Sequence, residues 1–456
     1  MSDIIKIKKG FNINLAGKAE LKVIEDKLPE TVAIKPTDFH DILRPKVVVE
    51  VGDTVKAGTP VLFDKRNENI KYTAPVSGEV IEVKRGEKRK LLEIIILVDK
   101  QIEYVSFPRH TISDLKSITR EDVQEALLKS GVWPQIIQRP FGIVADPETT
   151  PKSIFISGFD THPLAPDYDF LLKDQGQYFQ AGIDILKKFT TGHVHLSISS
   201  DKEVSKIFTK ATGVELHKFS GPHPSGNVGV QIHHIDPVNK GDIVWTINPY
   251  GVVQIGKLIL EGKYDASKLV ALAGYEVKEP KYFKTFIGGC VDKLIENNLN
   301  NPVEKVRVIS GNALTGYRID PKGYIGFYDH LITVIKEGAE YDFLGWIKPS
   351  TKRLSFQRAV GLLSFMNPKR EYRLDTNTRG EERAFVQTGI FERVTPMDIL
   401  PVHLLKAIMA EDFDEMEALG IFEIVEEDMA LCEFVDVSKH NIQEIVRDGI
   451  NLIQYS

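Results

Sequence analysis

The chain has 456 residues, 42% of them apolar and 27% charged. That is the composition of a soluble globular protein of roughly two to four domains. Its net charge is −6, with acidic and basic residues mixed along the whole length, which leaves neither a nucleic-acid-binding stripe nor a polybasic membrane patch. No nucleic-acid partner is expected.

Met1 to Asn14 alternates Lys with Ile and Asn and has no apolar core of signal-peptide length. The longest later aliphatic run, Ile94 to Val98, falls far short of the roughly 20 apolar residues that cross a bilayer. The chain is therefore expected to stay where it is made and to meet a membrane only through another protein. From Arg44 to Val98 two β-branched halves follow, Val51 to Leu62 and Ala74 to Val80, separated by Asp64-Lys65. Glycines 52, 58, 78 and 86 supply the turns of a compact sandwich. The halves resemble a biotinyl or lipoyl carrier domain, in which a Lys in such a pair carries a swinging arm at a hairpin tip. The run after Lys65, RNENIKYT, is long and polar for such a tip, so no arm is expected there.

After a linker near Gln101 to Ser117, Thr119-Arg120-Glu121-Asp122 reads as a capped helix start and Gly131 as its stop. Strands and helices then alternate. Ser153–Ser157, His193–Ile198, Val214–Phe219 and Ile243–Ile247 are expected as strands, and Gln175–Phe189, Lys202–Lys210 and Tyr250–Glu261 as helices. This rhythm predicts a mostly parallel, doubly wound, Rossmann-like sheet. From Ala266 the order strand, strand, helix, strand suits a β-grasp module, with strand-like runs at Tyr324–Tyr328 and Leu331–Ile335 after it. The end is helical: Thr395-Pro396-Met397-Asp398 opens one helix and Ser438 another. The expected fold is α/β multidomain, divided at 1–103 (N-terminal segment and sandwich), 104–262 (Rossmann-like), 263–374 (β-grasp with following strands) and 375–456 (helical).

The residues themselves display little chemistry. Two distant cysteines, Cys290 and Cys432, cannot hold an iron–sulfur cluster and read as buried thiols. Ser220 to Gly229 is a glycine-rich loop after a strand, but its two prolines and the strand-like Val228–Ile235 after it do not fit a dinucleotide loop, which opens into a helix. His193 and His195 share a strand face, with His217, His223, His233 and His234 near in sequence. No HExxH spacing or supporting carboxylate set accompanies them, so structural histidines and no metal are expected. Neither a nucleophile elbow nor a Walker loop is present, and no catalytic residue is assigned.

Several runs, in order and over nearly the whole chain, resemble the A subunit of the sodium-translocating NADH:quinone reductase. In the first third they are Lys9-Gly10-Phe11-Asn12, Arg44-Pro45, Val61 to Lys65 and Arg85 to Arg89, followed by Arg139-Pro140-Phe141 and Asp160 to Ala165. Gly221-Pro222-His223-Pro224, Ile309-Ser310-Gly311, Phe391 to Val394, Pro396 to Pro401 and Glu426 to Cys432 continue the match. The resemblance implies a carrier-like barrel-sandwich hybrid, a Rossmann-like domain, an SLBB-like β-grasp domain and a helical end. The same architecture is similar to the flavin-binding component of respiratory complex I, yet this chain lacks the glycine-rich flavin loop and every cluster cysteine.

The resemblance further implies a peripheral component on the cytoplasmic face of the bacterial inner membrane, docked chiefly on the membrane-embedded B subunit of the pump. Its complex oxidises NADH and reduces ubiquinone while translocating Na+. FAD, FMN, riboflavin and iron–sulfur centres are expected in other subunits and no cofactor in this one. A quinone ring is expected near Phe39 and Phe141, with Arg44 and Arg139 as donors to its oxygens. The rival expectations are a free-standing lipoyl- or biotin-type carrier using Lys65, and a nucleotide-binding enzyme built on the 153–262 sheet.

Overall fold

The computed structural model describes residues 4–338, 344, 353–357, 370–386 and 389–455. The sandwich pairs a four-stranded sheet (Thr31–Ile34, Leu91–Val98, Gly78–Arg85, Thr54–Val55) with a three-stranded one (Pro45–Val47, Pro60–Asp64, Asn67–Thr73). Leu62, Ile94 and Ile96 fill the space between them and are wholly buried. Each contributes about 2 kcal/mol of transfer free energy. Gly52 and Gly58 turn at φ 97° and 95°, as tight reversals require. The reversal near Gly86 works differently: the positive φ angles fall on Lys88 and Arg89, at 51° and 61°.

The second unit is a seven-stranded sheet. Its parallel part runs, from one edge inward, through Ile4–Lys6, Glu215–Ser220, Val194–Ser199, Ser153–Ser157 and Val244–Thr246. Ile137–Arg139 and Ile143–Val144 extend it antiparallel. The first strand comes from the start of the chain, and Glu20–Ile24 joins the next sheet along, so the amino-terminal segment stitches three units together. Helices Gly176–Leu186 and Pro249–Glu261 pack backbone to backbone because Gly182 and Gly256 carry no Cβ. Added Cβ atoms would lie 2.1 Å from the Val252 carbonyl and 1.9 Å from that of Tyr178. Thr119 caps helix Arg120–Ser130 through the Asp122 amide, and Gly131 ends it at φ 85°.

Val228–Ile235, expected as a strand, is a helix. Its β-branched residues are buried on two sides, Ile232 in a cluster with Phe155 and Val244 of the sheet and Val230 in the core shared with the helical end, and tertiary packing overrides their strand preference. Tyr324–Tyr328 is likewise no strand, because the carbonyls of Gly326, Phe327 and Asp329 turn toward the Lys268 ammonium instead of a neighbouring strand. The third sheet has six strands, in the order Tyr317–Ile319, Val306–Ser310, Leu331–Lys336, Ser267–Ala273, Lys281–Phe286, Glu20–Ile24.

The helical end begins later than Thr395. That hydroxyl is buried against Cys432 Sγ at 3.2 Å rather than capping, and Pro401 takes the first position of helix Pro401–Met409. Helix Ile442–Tyr455 starts after, not at, Ser438, whose hydroxyl donates to the Ala384 carbonyl. Cys290 and Cys432 are buried, and burial pushes their thiols up to about 11 and about 12. No helix among the described residues is long and apolar enough to cross a membrane.

Candidate functional site

All four units meet at one cleft of about 680 Å³. It opens beyond the carboxyl ends of Ser153–Ser157 and Val244–Thr246. From the first of these strands the chain proceeds to one side of the sheet, through Val194–Ser199 and Glu215–Ser220. It then returns to place Val244–Thr246 on the other side. At such a reversal the connecting loops part, and a crevice follows from the topology.

One wall is aromatic. Phe39, 4% exposed, follows a short turn at Pro36–Asp38 and packs its ring 4.5 Å from Tyr72, 4.9 Å from Phe327 and 5.8 Å from Tyr328. The loop carrying Phe327 and Tyr328 is pinned by Lys268, whose ammonium donates to the carbonyls of Asp329 at 2.6 Å, Phe327 at 3.2 Å and Gly326 at 3.3 Å. Burial pulls the Lys268 ammonium down to about 8. Asp38 accepts from the Phe327 amide at 2.9 Å and the Tyr317 hydroxyl at 3.1 Å, and burial raises its carboxyl above the usual range. Sandwich and third unit are thus hydrogen-bonded to each other at the cleft.

Another part of the lining is charged. Arg139, on the antiparallel strand, donates to Asp428 Oδ2 and Glu427 Oε1, both at 2.6 Å, across to the helical unit. Burial opposes its charge, but the two carboxylates more than compensate, and the guanidinium stays charged. Arg447 doubles the link through Glu426 and the Phe141 carbonyl. Beside them His162 Nδ1 meets Asp160 Oδ1 at 2.7 Å. Burial works against His162's charge, and the Asp160 carboxylate overrides it, so the imidazole is raised and Asp160 lowered. His162 Nε2 is buried at the cleft with no hydrogen-bond partner among the described residues. The Tyr168 hydroxyl on the same wall is pushed up by burial.

The glycine-rich loop does open into a helix, against expectation, but the chain fills the anion corner itself. The Asp428 carboxylate lies against the first turn of Val228–Ile235, so close that a Cβ on Gly229 would stand 2.3 Å from its Oδ1. Asn227 at the helix start donates to the Glu427 carbonyl at 3.0 Å. The Asp428 side chain thus crowds the helix start, where a pyrophosphate would otherwise sit.

Of the four quinone-proximal candidates, Phe39 and Arg139 line the cleft. Arg139 is fully engaged by its two carboxylates. Arg44 is exposed and Phe141 half-buried, and neither lines the cleft; Phe141 lies 6.3 Å from the Phe422 ring. Lys65 and Arg66 form the two-residue turn between Pro60–Asp64 and Asn67–Thr73, the hairpin tip that the length of the following run argues against. That tip is tied down. Asp64 accepts from the amides of Leu43, Arg44 and Arg66, and the Arg66 guanidinium reaches the Asp41 carbonyl and lies over Tyr455. Asp160, His162, Glu427, Asp428 and Tyr328 carry no assigned role in the sequence. Asp160 to His162 and Glu427-Asp428 stand inside recognisable runs, but nothing linear pairs Asp428 with Arg139, 289 positions away.

Fold and cleft together define a multidomain α/β protein with a barrel-sandwich hybrid and a crevice lined by residues from the 37–41, 135–248, 315–329 and 425–447 stretches. Residues 5–99 match the family model for the NqrA N-terminal barrel-sandwich hybrid domain, 118–264 that for the NqrA second alpha/beta domain, and 269–320 that for the NQRA C-terminal domain. The A subunit of the Na(+)-translocating NADH-quinone reductase from Rhodopirellula baltica is 37% identical over 453 residues, covering 99% of this chain and 98% of the relative. Those from Alcanivorax borkumensis, at 37%, and Pasteurella multocida, at 36%, are covered to 99% on both sides. The chain belongs to the NqrA family, the A subunits of the Na(+)-translocating NADH-quinone reductase.

Proposed function

We propose that this chain is a peripheral, non-redox component of a sodium-pumping NADH:ubiquinone reductase, and that its shared cleft is a quinone vestibule. It serves as scaffold on the cytoplasmic face of the inner membrane, docked chiefly on the membrane-embedded B subunit, while flavins and iron–sulfur centres work elsewhere in the complex. The fourfold division at 103, 262 and 374, with Rossmann-like, β-grasp and helical parts, belongs to the same reading. The observation that carries the vestibule is the cleft of about 680 Å³, lined by Phe39, Phe327 and Tyr328 together with Arg139 and His162. Aromatic rings and a few fixed polar groups in one cleft suit a flat ring bearing two carbonyls. Phe39 supplies ring contact, and Arg139 tunes the field through its carboxylates. Arg44 and Phe141 flank the rim, the first by its position beside the 37–41 segment and the second next to Gly142.

The test is titration of the purified chain with ubiquinone-1, followed by calorimetry. Saturable one-site binding is expected. Thr315→Trp, on the exposed rim of the cleft, should weaken it at least tenfold without altering the far-UV spectrum. No saturable binding, or binding indifferent to Thr315→Trp, contradicts the vestibule.

The carrier reading has one observation in its favour, the placement of Lys65 at a two-residue hairpin turn. An added lipoyl or biotinyl mass on Lys65 in the intact protein would establish it.

A further inference from the structure

At the far end of the α/β sheet from the cleft, the amino ends of Val194–Ser199 and Glu215–Ser220 lie side by side. His195 and Glu215 are register partners across these parallel strands, and His217 stands two residues beyond Glu215. Side chains two apart on a strand share a face, so His195, Glu215 and His217 project together. His195 Nδ1 is 3.0 Å from His217 Nε2 and 3.4 Å from Glu215 Oε2, and the three donor atoms all lie within 4.8 Å of one another. A tetrahedral ion with bonds of about 2.0–2.1 Å sets its ligand atoms roughly 3.3 Å apart. The two spacings from His195 Nδ1 are already close to that value.

We propose that His195, His217 and Glu215 form a binding site for a borderline divalent cation of the Zn2+ class. Glu215 and His217 stand two apart on one strand, and His195 reaches them from the neighbouring strand, through register.

Three further features fit a ligand set better than a histidine pair that merely shares a hydrogen bond. His195 Nδ1 and His217 Nε2 point at each other across the strand pair, so the ring nitrogens that would take the ion already converge. The His195 ring is stacked on Phe155 at 4.7 Å, its own register partner on the other side, which fixes its orientation. The second Glu215 oxygen is 2.9 Å from His193 Nδ1, an outer contact that aims the first oxygen inward. Binding moves the shared imidazole proton to the outer nitrogen of its ring, leaving both facing lone pairs for the ion. Glu215 and His193 are exposed, so an ion enters from solvent and a water completes the fourth position.

The test uses the tag-free, chelator-stripped full chain. Calorimetric titration with Zn2+ should show one saturable equivalent, and Co2+ should give the intense visible absorption of a four-coordinate site. His217→Gln and Glu215→Gln should each weaken binding at least tenfold, while His110→Gln, remote from the cluster, should not. Glu215 is half exposed, so its variant tests the ligand without threatening the fold. Absence of a saturable equivalent, or affinity unchanged by both Glu215→Gln and His217→Gln, overturns the site.

Discussion

The link between Arg139 and the helical unit gives the sharpest stability prediction. Its side chain is 5% exposed, that of Asp428 is wholly buried, and that of Glu427 is 36% exposed. Arg139→Leu strands the Asp428 carboxylate in an apolar setting. Removing one partner of a buried pair costs about 3–5 kcal/mol, whereas a third-exposed partner such as Glu427 adds little after solvent screening. Nearly all the loss therefore belongs to Asp428, and neutralising that residue should recover most of it. The assay is a double-mutant cycle with Asp428→Asn in urea, following the first unfolding transition because a chain of several units need not unfold in one step. The single variant should lose about 3–5 kcal/mol and the double variant at most half of that. A loss below about 1 kcal/mol, or costs that simply add, would refute the pairing as the main bond between the units.

Gly229→Ala should destabilise the same junction by about 1–3 kcal/mol, since the new methyl meets the Asp428 carboxylate; a melting temperature equal to that of the parent contradicts it. The Asp160–His162 pair should contribute fully between about pH 4 and pH 6.5. Below that window the lowered Asp160 protonates and the contribution fades; above it, the contribution fades as pH rises through the raised folded pKa of His162. Asp160→Asn removes the largest charge opposing burial, with Glu427 and Asp428 remaining, so the His162 resonance should titrate lower than in the parent, and an unchanged titration in NMR would break the assignment. Intact mass of the protein purified from its complex should show no adduct on Lys65, and a lipoyl or biotinyl increment there would revive the carrier reading. Lys268→Met leaves three carbonyls of the 326–329 loop without their donor and should raise protease cleavage in that loop severalfold; an unchanged digestion pattern contradicts its role as a pin.

Local signals were legible where the physics is local. Thr119 and Gly131 mark a helix's two ends, and Gly52 and Gly58 mark turns, because a cap and a positive φ depend on one or two residues. Val228–Ile235 misled because alternating β-branched residues favour a strand until a sheet face offers them a packed helix site. Partner strands were invisible in the same way: nothing in Ile4–Lys6 announces pairing with Lys218 to Ser220. The cleft shows both sides of this. Arg139 stands in a recognisable run and Phe39 just before another, but Arg139 reads as a free donor until Glu427 and Asp428 fold onto it. Glu215 stands two residues before His217, but His195 joins that pair only through strand register.

A quinone vestibule closed by every unit of the chain is tested most directly by photo-crosslinking a ring-azido ubiquinone analogue to the assembled complex and mapping the labelled peptides of this chain by mass spectrometry. Label is expected in the 37–41 and 315–329 segments, competed away by excess ubiquinone. Label confined to surfaces outside the cleft, or label in the cleft that excess ubiquinone does not displace, would contradict the vestibule.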